Sequence, residues 1–279
     1  MLKNHALSIL EKSLDYDVGF GDLTTELMIP KNQESEAVFV AKEESIICGI
    51  DFVIEFMEKN GLTCTPLVNE GDKVIGPFLK VKGNTKTIII LERTALNFLM
   101  HISGISTKTN RIIENVRKIN KTVNIAATRK THPLLSMIEK YAVFVGGGDT
   151  HRFRLDDMVM IKDNHIQAVG IDECFKRAEK LSFSKKIEVE VDTLDQLKKV
   201  IEYKPDIILL DNFEFKNIET ALNIVSEFEQ KTGFRPKIEL SGGINENNVN
   251  TYAKYNVDVI SMGSLIHSAI SVDIGLDLL

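Results

Sequence analysis

The feature that most constrains this chain is an alternation of short apolar runs with helical segments through its second half. The runs rich in Val, Ile and Leu have the length of buried strands and lie at 122–127, 158–161, 187–191, 206–210, 237–240 and 257–261. The segments between them space their apolar residues as helices do, near 133–143, 171–181, 194–203, 215–231, 246–254 and 264–270. This alternation predicts parallel βα units, and therefore either an open doubly wound sheet or a barrel that can be incomplete. No G-x-G-x-x-G follows the first strand, which weighs against a dinucleotide-binding fold.

The first hundred residues have a different pattern, which predicts a small α+β unit. Helical spacing covers 2–14 and 51–59, a turn-rich polar loop covers 17–25, and a long helix over 92–120 has a possible break at Ser103-Gly104. The strand-like runs lie at 36–42, 45–50, 62–68 and 87–92. We therefore predict an N-terminal α+β domain over 1–110 and a second, α/β domain over 111–279, with the option that its final helix packs back on the first domain.

Charge and composition exclude several classes of protein. Lys and Arg number 34 against 40 Asp and Glu, a formal net charge of −6, which argues against binding to nucleic acid or a membrane surface. No apolar stretch approaches the ~18 residues of a membrane span. Cys48, Cys64 and Cys174 are too widely spaced for a metal motif or a disulfide framework. These observations predict a cytoplasmic, reduced protein.

Polar residues suited to chemistry follow every predicted strand of the second half. In parallel α/β proteins the carboxyl ends of the strands form the site, because the loops there converge. In strand order, these residues are Thr128-Arg129-Lys130, Lys162-Asp163-Asn164-His165, Glu190, Asp211-Asn212, Ser241-Gly242-Gly243 and Gly263-Ser264. One polar strand end would be unremarkable in a loop, but six in succession predict a binding or catalytic site.

Cations are concentrated in the segment from Thr128 to His165, although the chain as a whole is acidic. They are Arg129, Lys130, His132, Lys140, His151, Arg152, Arg154, Lys162 and His165. Arg matches carboxylate or phosphate with two parallel hydrogen bonds, and Lys adds a mobile point charge. The cluster predicts a multiply anionic small ligand. The alternative is a solvated basic face paired with Asp156 and Asp157, which suits Lys140 and Arg154 best.

Two glycine turns and two acids narrow the class of ligand. Ser241-Gly242-Gly243-Ile244 and Met262-Gly263-Ser264-Leu265 each follow a late strand and precede a helix, where bare backbone N–H groups can cradle phosphate. Glu190 and Asp211 lie on neighbouring predicted strands and could hold Mg²⁺ or the hydroxyl groups of a sugar. Alternatively, these acids are counter-ions of Lys130 and Lys162.

A series of motifs in order along the chain resembles the quinolinate phosphoribosyltransferase family. The motifs are Gly21-Asp22-Leu23-Thr24, Glu92-Arg93-Thr94-Ala95-Leu96-Asn97, Ser103-Gly104-Ile105, Thr128-Arg129-Lys130-Thr131, Glu139-Lys140-Tyr141-Ala142-Val143, Gly146-Gly147-Gly148, His151-Arg152, Ile161-Lys162-Asp163-Asn164-His165-Ile166, Glu188-Val189-Glu190-Val191, Leu210-Asp211-Asn212 and Ser241-Gly242-Gly243-Ile244. They extend over almost the whole chain and together are highly specific. The resemblance implies an incomplete TIM-like α/β barrel preceded by an N-terminal α+β open-sandwich domain, assembled at least as a homodimer.

The resemblance also implies a reaction and assigns roles to residues. Quinolinate and phosphoribosyl pyrophosphate would give nicotinate mononucleotide, pyrophosphate and carbon dioxide, with Lys130, Lys162, Glu190 and Asp211 as catalytic residues. Glu190 and Asp211 would also hold the ribose and Mg²⁺. The quinolinate pocket would comprise Thr128, Arg129, Lys130, His151, Arg152 and Lys162, joined by Arg93 of the partner subunit. Phosphate would be held by Ser241, Gly242, Gly243, Met262, Gly263 and Ser264.

Some positions depart from the family pattern, and other functions stay open. Ala127, His132, Leu134 and Ser136 stand where the family commonly has other residues, and Ser136 replaces a frequent arginine beside the quinolinate pocket. A related transferase could therefore use another pyridine or aromatic acid. In a different class, Lys162 could be the Schiff-base lysine of a barrel aldolase. A third alternative is a metabolite-binding protein without catalytic activity.

Overall fold

The computed structural model describes residues 1–279, and the chain divides into two compact units. The first unit comprises Met1–Arg111, His132–Gly147 and Ser268–Leu279. The second unit comprises Ile112–Thr131 and Gly148–His267. The chain therefore passes between the units more than once, and its last residues belong to the first unit.

The chain forms ten strands and eleven α-helices, of which α4 is the longest with 33 residues. The strands are β1 (Glu34–Ile46), β2 (Thr63–Pro66), β3 (Lys73–Asn84), β4 (Asn124–Ala126), β5 (Val159–Ile161), β6 (Ile187–Val191), β7 (Ile207–Asp211), β8 (Lys237–Ser241), β9 (Val259–Ser261) and β10 (Ile274–Leu278). The helices are α1 (Leu2–Val18), α2 (Leu23–Met28), α3 (Ile50–Lys59), α4 (Thr85–Arg117), α5 (Ser136–Val145), α6 (Asp163–Val169), α7 (Ile171–Ala178), α8 (Leu194–Val200), α9 (Phe215–Thr232), α10 (Val249–Tyr252) and α11 (Ser264–His267).

The first unit contains a four-stranded antiparallel sheet in the order β10-β1-β3-β2. The two strands predicted over 36–42 and 45–50 are a single strand, β1, whose register shifts between Ala41 and Ser45 at a bulge. Strand β3 lies where no strand was predicted, and it contains Gly76 and Gly83. Its pairing with strands on both sides outweighs the local preference of these glycines. Strand β10 was not predicted either, and it brings the end of the chain back as a strand rather than as a helix.

Helix α4 corrects two predictions. The run predicted as a strand over 87–92 is its first part, because a short β-branched run looks alike in a buried helix and in a strand. The predicted break at Ser103-Gly104 does not occur. A Cβ at Gly104 would lie 2.2 Å from the carbonyl oxygen of Ile270. This glycine therefore lets the backbone at Ile270 approach the helix closely, and it does not end the helix.

Helix α4 is also the one helix long and apolar enough to cross a membrane, by length and composition only. More than half of its most apolar stretch is buried inside the protein. The core helix of a soluble protein passes the same test, so this feature is weak evidence for a membrane span.

The second unit contains a six-stranded parallel sheet in the order β4-β9-β8-β7-β6-β5. From β5 to β9 each strand pairs with the one before it in the sequence, so the order never reverses, and β4 pairs with β9. This is the strand order of a barrel, whereas a doubly wound sheet reverses its order at a switch point. Residues at the starts of the strands all line one cavity of about 400 Å³, so the sheet curves around it. Since β4 and β5 do not pair, the barrel is incomplete. This confirms the predicted fold class.

Candidate active site

The carboxyl ends of the barrel strands carry a set of charged residues that we call the rim cluster. It consists of Arg129, Lys130, Lys162, Glu190 and Asp211, all exposed or half-buried. Parallel register brings the ends level, because Glu190 pairs with Leu209 and Asp211 pairs with Ser241. Residues far apart in the sequence therefore meet at one edge of the sheet.

Lys162 and Glu190 are joined directly. The Lys162 Nζ donates a hydrogen bond to the Glu190 carboxylate from the neighbouring strand. Lys162 stands at the start of α6, where its backbone N–H donates to His165 Nδ1 at 3.0 Å. The side chain of Lys162 is 38% exposed and that of Glu190 is 12% exposed, so the pair lies between the core and solvent. The structure thus brings together Lys162, which was predicted to bind quinolinate, and Glu190, which was predicted to bind the ribose.

Three cations of the predicted pocket come from loops near β4 and β5. Arg129 and Lys130 follow β4 and are exposed, whereas Arg152 is 9% exposed and donates from Nη1 to the Met158 carbonyl at 3.2 Å. Burial lowers the pKa of Arg152, and the positive charge of Arg129 lowers it further. Two guanidinium groups that repel each other are stabilised by an anion bound near both.

Carboxylates gather near Lys162. Burial raises the pKa of Asp192, and the negative charges of Asp211 and Asp163 raise it further. The side-chain amide of Asn212 donates to Asp211 at 2.7 Å. Crowded carboxylate oxygens at a solvent-accessible edge are the hard donors that Mg²⁺ prefers. Asp211, with Asp163 and Asp192 near it, therefore offers oxygen donors that suit a magnesium ion, and Glu190 lies on the neighbouring strand, where it is held by Lys162.

The turn after β8 places bare backbone next to Asn212. Gly242 has φ +100, and a Cβ there would lie 2.3 Å from Asn212 Oδ1 and 2.6 Å from the Asn212 nitrogen. Gly243 has φ +61 in open space. Both positions thus favour glycine, and the first also requires close approach. Ser241 lies at the end of the strand, where its carbonyl accepts from the Asn212 N–H at 3.0 Å.

The turn after β9 is packed more tightly. Met262 is buried, and its N–H donates to the Ala126 carbonyl at 2.9 Å. The Ser264 hydroxyl donates to the Ile244 carbonyl at 3.1 Å. A Cβ at Gly263 would lie 2.9 Å from Lys130 Cδ, so glycine there lets the Lys130 stem pass over the turn.

His151 belongs to a second group, which we call the interior cluster: His151, Glu188 and Glu239. The glutamates lie on β6 and β8 and are 0% and 2% exposed. Their Oε2 atoms lie 3.4 and 3.2 Å from His151 Nε2, and three of their four carboxylate oxygens have no hydrogen-bond partner. His151 has φ +52 and is 11% exposed. Its ring therefore points into the barrel rather than to solvent.

The protons of the interior cluster are shared. Burial lowers the pKa of His151, but Glu188 and Glu239 outweigh it and raise the pKa to about 10. Burial, the largest effect, raises the pKa of Glu188 as well. The Arg152 N–H donates to His151 Nδ1 at 2.8 Å, so that nitrogen is an acceptor and the Nε2–H points toward the carboxylates. The raised pKa values of His151 and Glu188 therefore mean that the imidazole and the glutamates together hold an additional proton into the alkaline range.

Glu188 and Glu239 were given no role from the sequence. A signal for them existed, because residues i and i+2 of a strand share a face and Glu188 precedes Glu190 by two. Two charged residues on the core face of an otherwise apolar strand need a partner. Glu190 pairs with Lys162, whereas the partner of Glu188 is His151, which comes from a distant loop that no local pattern identifies.

The other predicted residues divide between the units. Thr128 lies beside Arg129, where its Oγ1 accepts from the Lys130 N–H at 3.1 Å. Arg93 is exposed on α4 in the first unit. Arg154 forms an exposed ion pair with Asp156 at 3.1 Å, as the basic-face alternative predicted. Lys140 is fully buried in the first unit, so it is not part of such a face.

Comparisons with known proteins agree with this architecture. The model of the quinolinate phosphoribosyl transferase N-terminal domain matches residues 22–103, and that of the C-terminal domain matches residues 105–277. A probable nicotinate-nucleotide pyrophosphorylase [carboxylating] of Methanocaldococcus jannaschii is 58% identical over 100% of this chain and 99% of its own length. The nicotinate-nucleotide pyrophosphorylase [carboxylating] of Mycobacterium leprae is 34% identical over 98% of this chain and 97% of its own. The nicotinate-nucleotide pyrophosphorylase structure from Francisella tularensis superposes with a TM-score of 0.91, at 33% identity over 99% of this chain and 97% of that one.

Proposed function

Since the chain belongs to the quinolinate phosphoribosyltransferase family, we propose that its rim cluster is where the reaction of this family takes place. The chain transfers the phosphoribosyl group of phosphoribosyl pyrophosphate to quinolinate with loss of a carboxylate, giving nicotinate mononucleotide, pyrophosphate and carbon dioxide. It is a pentosyltransferase of NAD biosynthesis. The assignment of roles to residues is our proposal.

Arg129, Lys130, Arg152 and Lys162 bind the two quinolinate carboxylates in this proposal. The mutual repulsion of Arg129 and Arg152 supports it, because an anion near both relieves that repulsion. Lys162 is held by Glu190 and can exchange it for a quinolinate carboxylate. The exchange frees the Glu190 carboxylate when substrate arrives. His151 acts indirectly, since its ring nitrogens face Arg152 N–H and the two interior glutamates.

Glu190 and Asp211 stabilise the reacting ribose. The quinolinate ring nitrogen attacks C1 as the bond from C1 to the pyrophosphate oxygen breaks, and positive charge builds on the sugar. Carboxylates fixed beside that charge stabilise the transition state electrostatically. After transfer, the C2–carboxylate bond breaks, carbon dioxide leaves, and a proton from solvent replaces it on the carbanion beside the now cationic nitrogen. Orientation of the nitrogen toward C1 supplies much of the remaining effect.

Mg²⁺ is the proposed metal, and Glu190 and Asp211 would hold it. Asp211 supports this, because its negative charge adds to burial in raising the pKa of Asp192, and a cation relieves such repulsion among carboxylates. When bound, the ion offsets negative charge on the departing pyrophosphate. The backbone N–H groups after β8, at Gly242 and Gly243, and the turn at Met262, Gly263 and Ser264 hold the phosphate of the ribose in this proposal.

The single observation that carries the proposal is the Lys162–Glu190 pair at an edge where cations and acids of different strands meet. Incubation with quinolinate, phosphoribosyl pyrophosphate and Mg²⁺ should give nicotinate mononucleotide and carbon dioxide in equal amounts, and Lys162→Met should remove this activity. Nicotinate added as competitor tests the substrate class, since it lacks one of the two carboxylates. Full activity of the Lys162→Met variant would contradict the assignment.

The proposed assembly is a homodimer or larger, in which Arg93 of one subunit joins the quinolinate pocket of its partner. The exposure of Arg93 on α4 supports a role outside its own core. Mixing an Arg93→Ala subunit with a Lys162→Ala subunit tests this, because one hybrid site would be complete. We expect partial recovery of activity from the mixture. Subunits that exchange without any recovery would contradict a shared site.

A cytoplasmic location is proposed as well. All three cysteines are free, which suits a reducing compartment. Cell fractionation with an antibody to the chain tests it, with recovery in the cytosolic fraction expected. The aldolase alternative gains no support, because Lys162 faces a carboxylate and not the apolar surroundings that activate a Schiff-base lysine.

A further inference from the structure

A second group of potential metal ligands lies in the first unit and contains none of the residues assigned to the transfer reaction. His101 stands on α4, His132 precedes α5, and Glu139 lies on α5. Glu139 Oε1 is 3.0 Å from His101 Nε2 and 2.6 Å from His132 Nδ1. The Glu139 Oε2 accepts from the His132 backbone N–H at 2.9 Å. Three side chains from three segments therefore converge on one point.

The spacing and chemistry of these atoms suit a transition metal. The three ligand atoms lie within 4.8 Å of one another. Donors around a tetrahedral zinc ion with bonds of about 2.0 Å are separated by about 3.3 Å, so a small outward movement of the half-exposed His132 accommodates an ion. Two imidazoles with one carboxylate select zinc-like divalent ions, whereas Mg²⁺ and Ca²⁺ prefer oxygen donors throughout.

The protonation states also suit ligation. Glu139 accepts hydrogen bonds from His101, from the His132 ring and from the His132 backbone N–H, and these donors favour the charged form of the carboxylate. The carboxylate is therefore ionised at neutral pH. The ring nitrogens of His101 and His132 that face away from Glu139 have no protein partner, so each can carry the proton when its other nitrogen binds a metal.

The interior cluster fails this same criterion. His151 Nδ1 already accepts the Arg152 N–H, so the proton of a neutral ring sits on Nε2, the nitrogen that faces Glu188 and Glu239. A protonated nitrogen cannot bind a metal. The two groups look alike by composition and spacing, and the tautomer separates them.

The three side chains combine a buried anchor with access from a cavity. Glu139 is fully buried, whereas the side chains of His101 and His132 are 29% and 49% exposed. His101 and Glu139 line a cavity of about 640 Å³ within the first unit. The carboxylate is thus anchored in the core, and the cavity gives an ion an entry path and leaves a coordination position open to water.

We propose that His101, His132 and Glu139 form a binding site for a zinc-like divalent metal ion, which links α4, the loop before α5 and α5 itself. The site is independent of the magnesium position proposed for catalysis. It has a structural role, because it joins three segments of the first unit and no residue assigned to the transfer reaction takes part.

The test uses chain stripped with a chelator and titrated with Zn²⁺ against a competing indicator, and with Co²⁺ to record visible absorption bands. We expect one ion per chain, with His132→Asn and His101→Asn each weakening zinc affinity by about tenfold or more. His5→Asn is the matched control, because His5 bonds the Leu134 carbonyl of the same loop without being a ligand. Its affinity should stay within about threefold of the unaltered chain.

Thermal unfolding gives a second readout that does not depend on enzyme activity. Excess Zn²⁺ should raise the unfolding temperature of the unaltered chain and of His5→Asn but not that of His132→Asn, a half-exposed position whose change leaves the core intact. Absence of zinc binding to the unaltered chain would overturn the proposal. So would equal zinc affinity in the unaltered, His101→Asn and His132→Asn chains.

Discussion

The rim cluster and the interior cluster place the same kinds of charged side chain on the same barrel, with opposite consequences. At the rim, Lys162 and Glu190 are partly solvated, and we propose that their bond is exchanged for one to substrate. In the interior, Glu188 and Glu239 are almost fully buried and converge on His151. This difference in solvation separates a catalytic group from a structural one. A buried charge depends on its one partner, whereas a solvent-exposed charge can change partners at little cost.

Removing the centre of the interior cluster should have the largest effect. His151→Ala leaves two buried carboxylates facing each other, and breaking a buried charge network costs about 3–5 kcal/mol. The free energy of unfolding, measured in urea, should fall by about that amount. Loss below about 1 kcal/mol would show that Glu188 and Glu239 do not depend on His151.

A rim substitution should instead reduce activity without loss of stability. Glu190→Gln keeps the shape but removes the charge that we propose stabilises the reacting ribose, so kcat/KM should fall by about 10²–10³-fold. The unfolding temperature should change little. Glu202→Gln, an exposed glutamate outside both clusters, is the matched control and should leave both quantities unchanged. A large drop in unfolding temperature for Glu190→Gln would erase the distinction between the clusters.

The two glycines after β8 should differ in how much stability an alanine substitution costs, because only one of them has a neighbour that an added Cβ would meet. Gly242→Ala combines an unfavourable φ with a Cβ placed 2.3 Å from Asn212 Oδ1, and we expect it to lower the free energy of unfolding by about 1–3 kcal/mol. Gly243→Ala meets only the φ penalty, about 1 kcal/mol. Equal losses in urea unfolding would mean that contact with Asn212 is relieved by the loop.

The smallest effect is expected for an exposed cation outside both clusters. Arg154→Ala removes only its surface ion pair with Asp156. Surface pairs contribute about 0–1 kcal/mol, so stability and the KM for quinolinate should both stay near their starting values. A KM raised several-fold would move Arg154 into the quinolinate pocket.

The parallel half of the fold could be predicted from sequence because each βα unit carries its own signal. The run at 187–191 was predicted with its bounds, and Lys162, Glu190 and Asp211 were placed at strand ends by the same logic. The antiparallel sheet was harder. Strand β3 runs through Gly76 and Gly83, and β10 is held by pairing with a strand more than two hundred residues earlier. Such pairing is a tertiary effect that no local window contains.

Some features of the site could likewise be predicted from the sequence, and others could not. Charges at strand ends could be predicted because the topology fixes where they meet. The direction of the His151 ring could not, since it depends on a left-handed backbone at that residue and on two glutamates from distant strands. His101 and Glu139 likewise meet His132 only through packing of α4 against α5.

The most direct measurement of the distinction between rim and interior is the free energy of unfolding from pH 6.5 to 10. The pKa of His151 is raised from 6.5 to about 10, so its contribution to stability is fully present below pH 6.5 and is lost as pH rises toward 10. The raised pKa of Glu188 acts with the same sign.

Comparing Glu188→Gln with Glu190→Gln cancels the titration of all other groups. The prediction is a clearly smaller alkaline loss of stability for Glu188→Gln and a profile parallel to that of the unaltered chain for Glu190→Gln. Superimposable profiles for all three chains would contradict it.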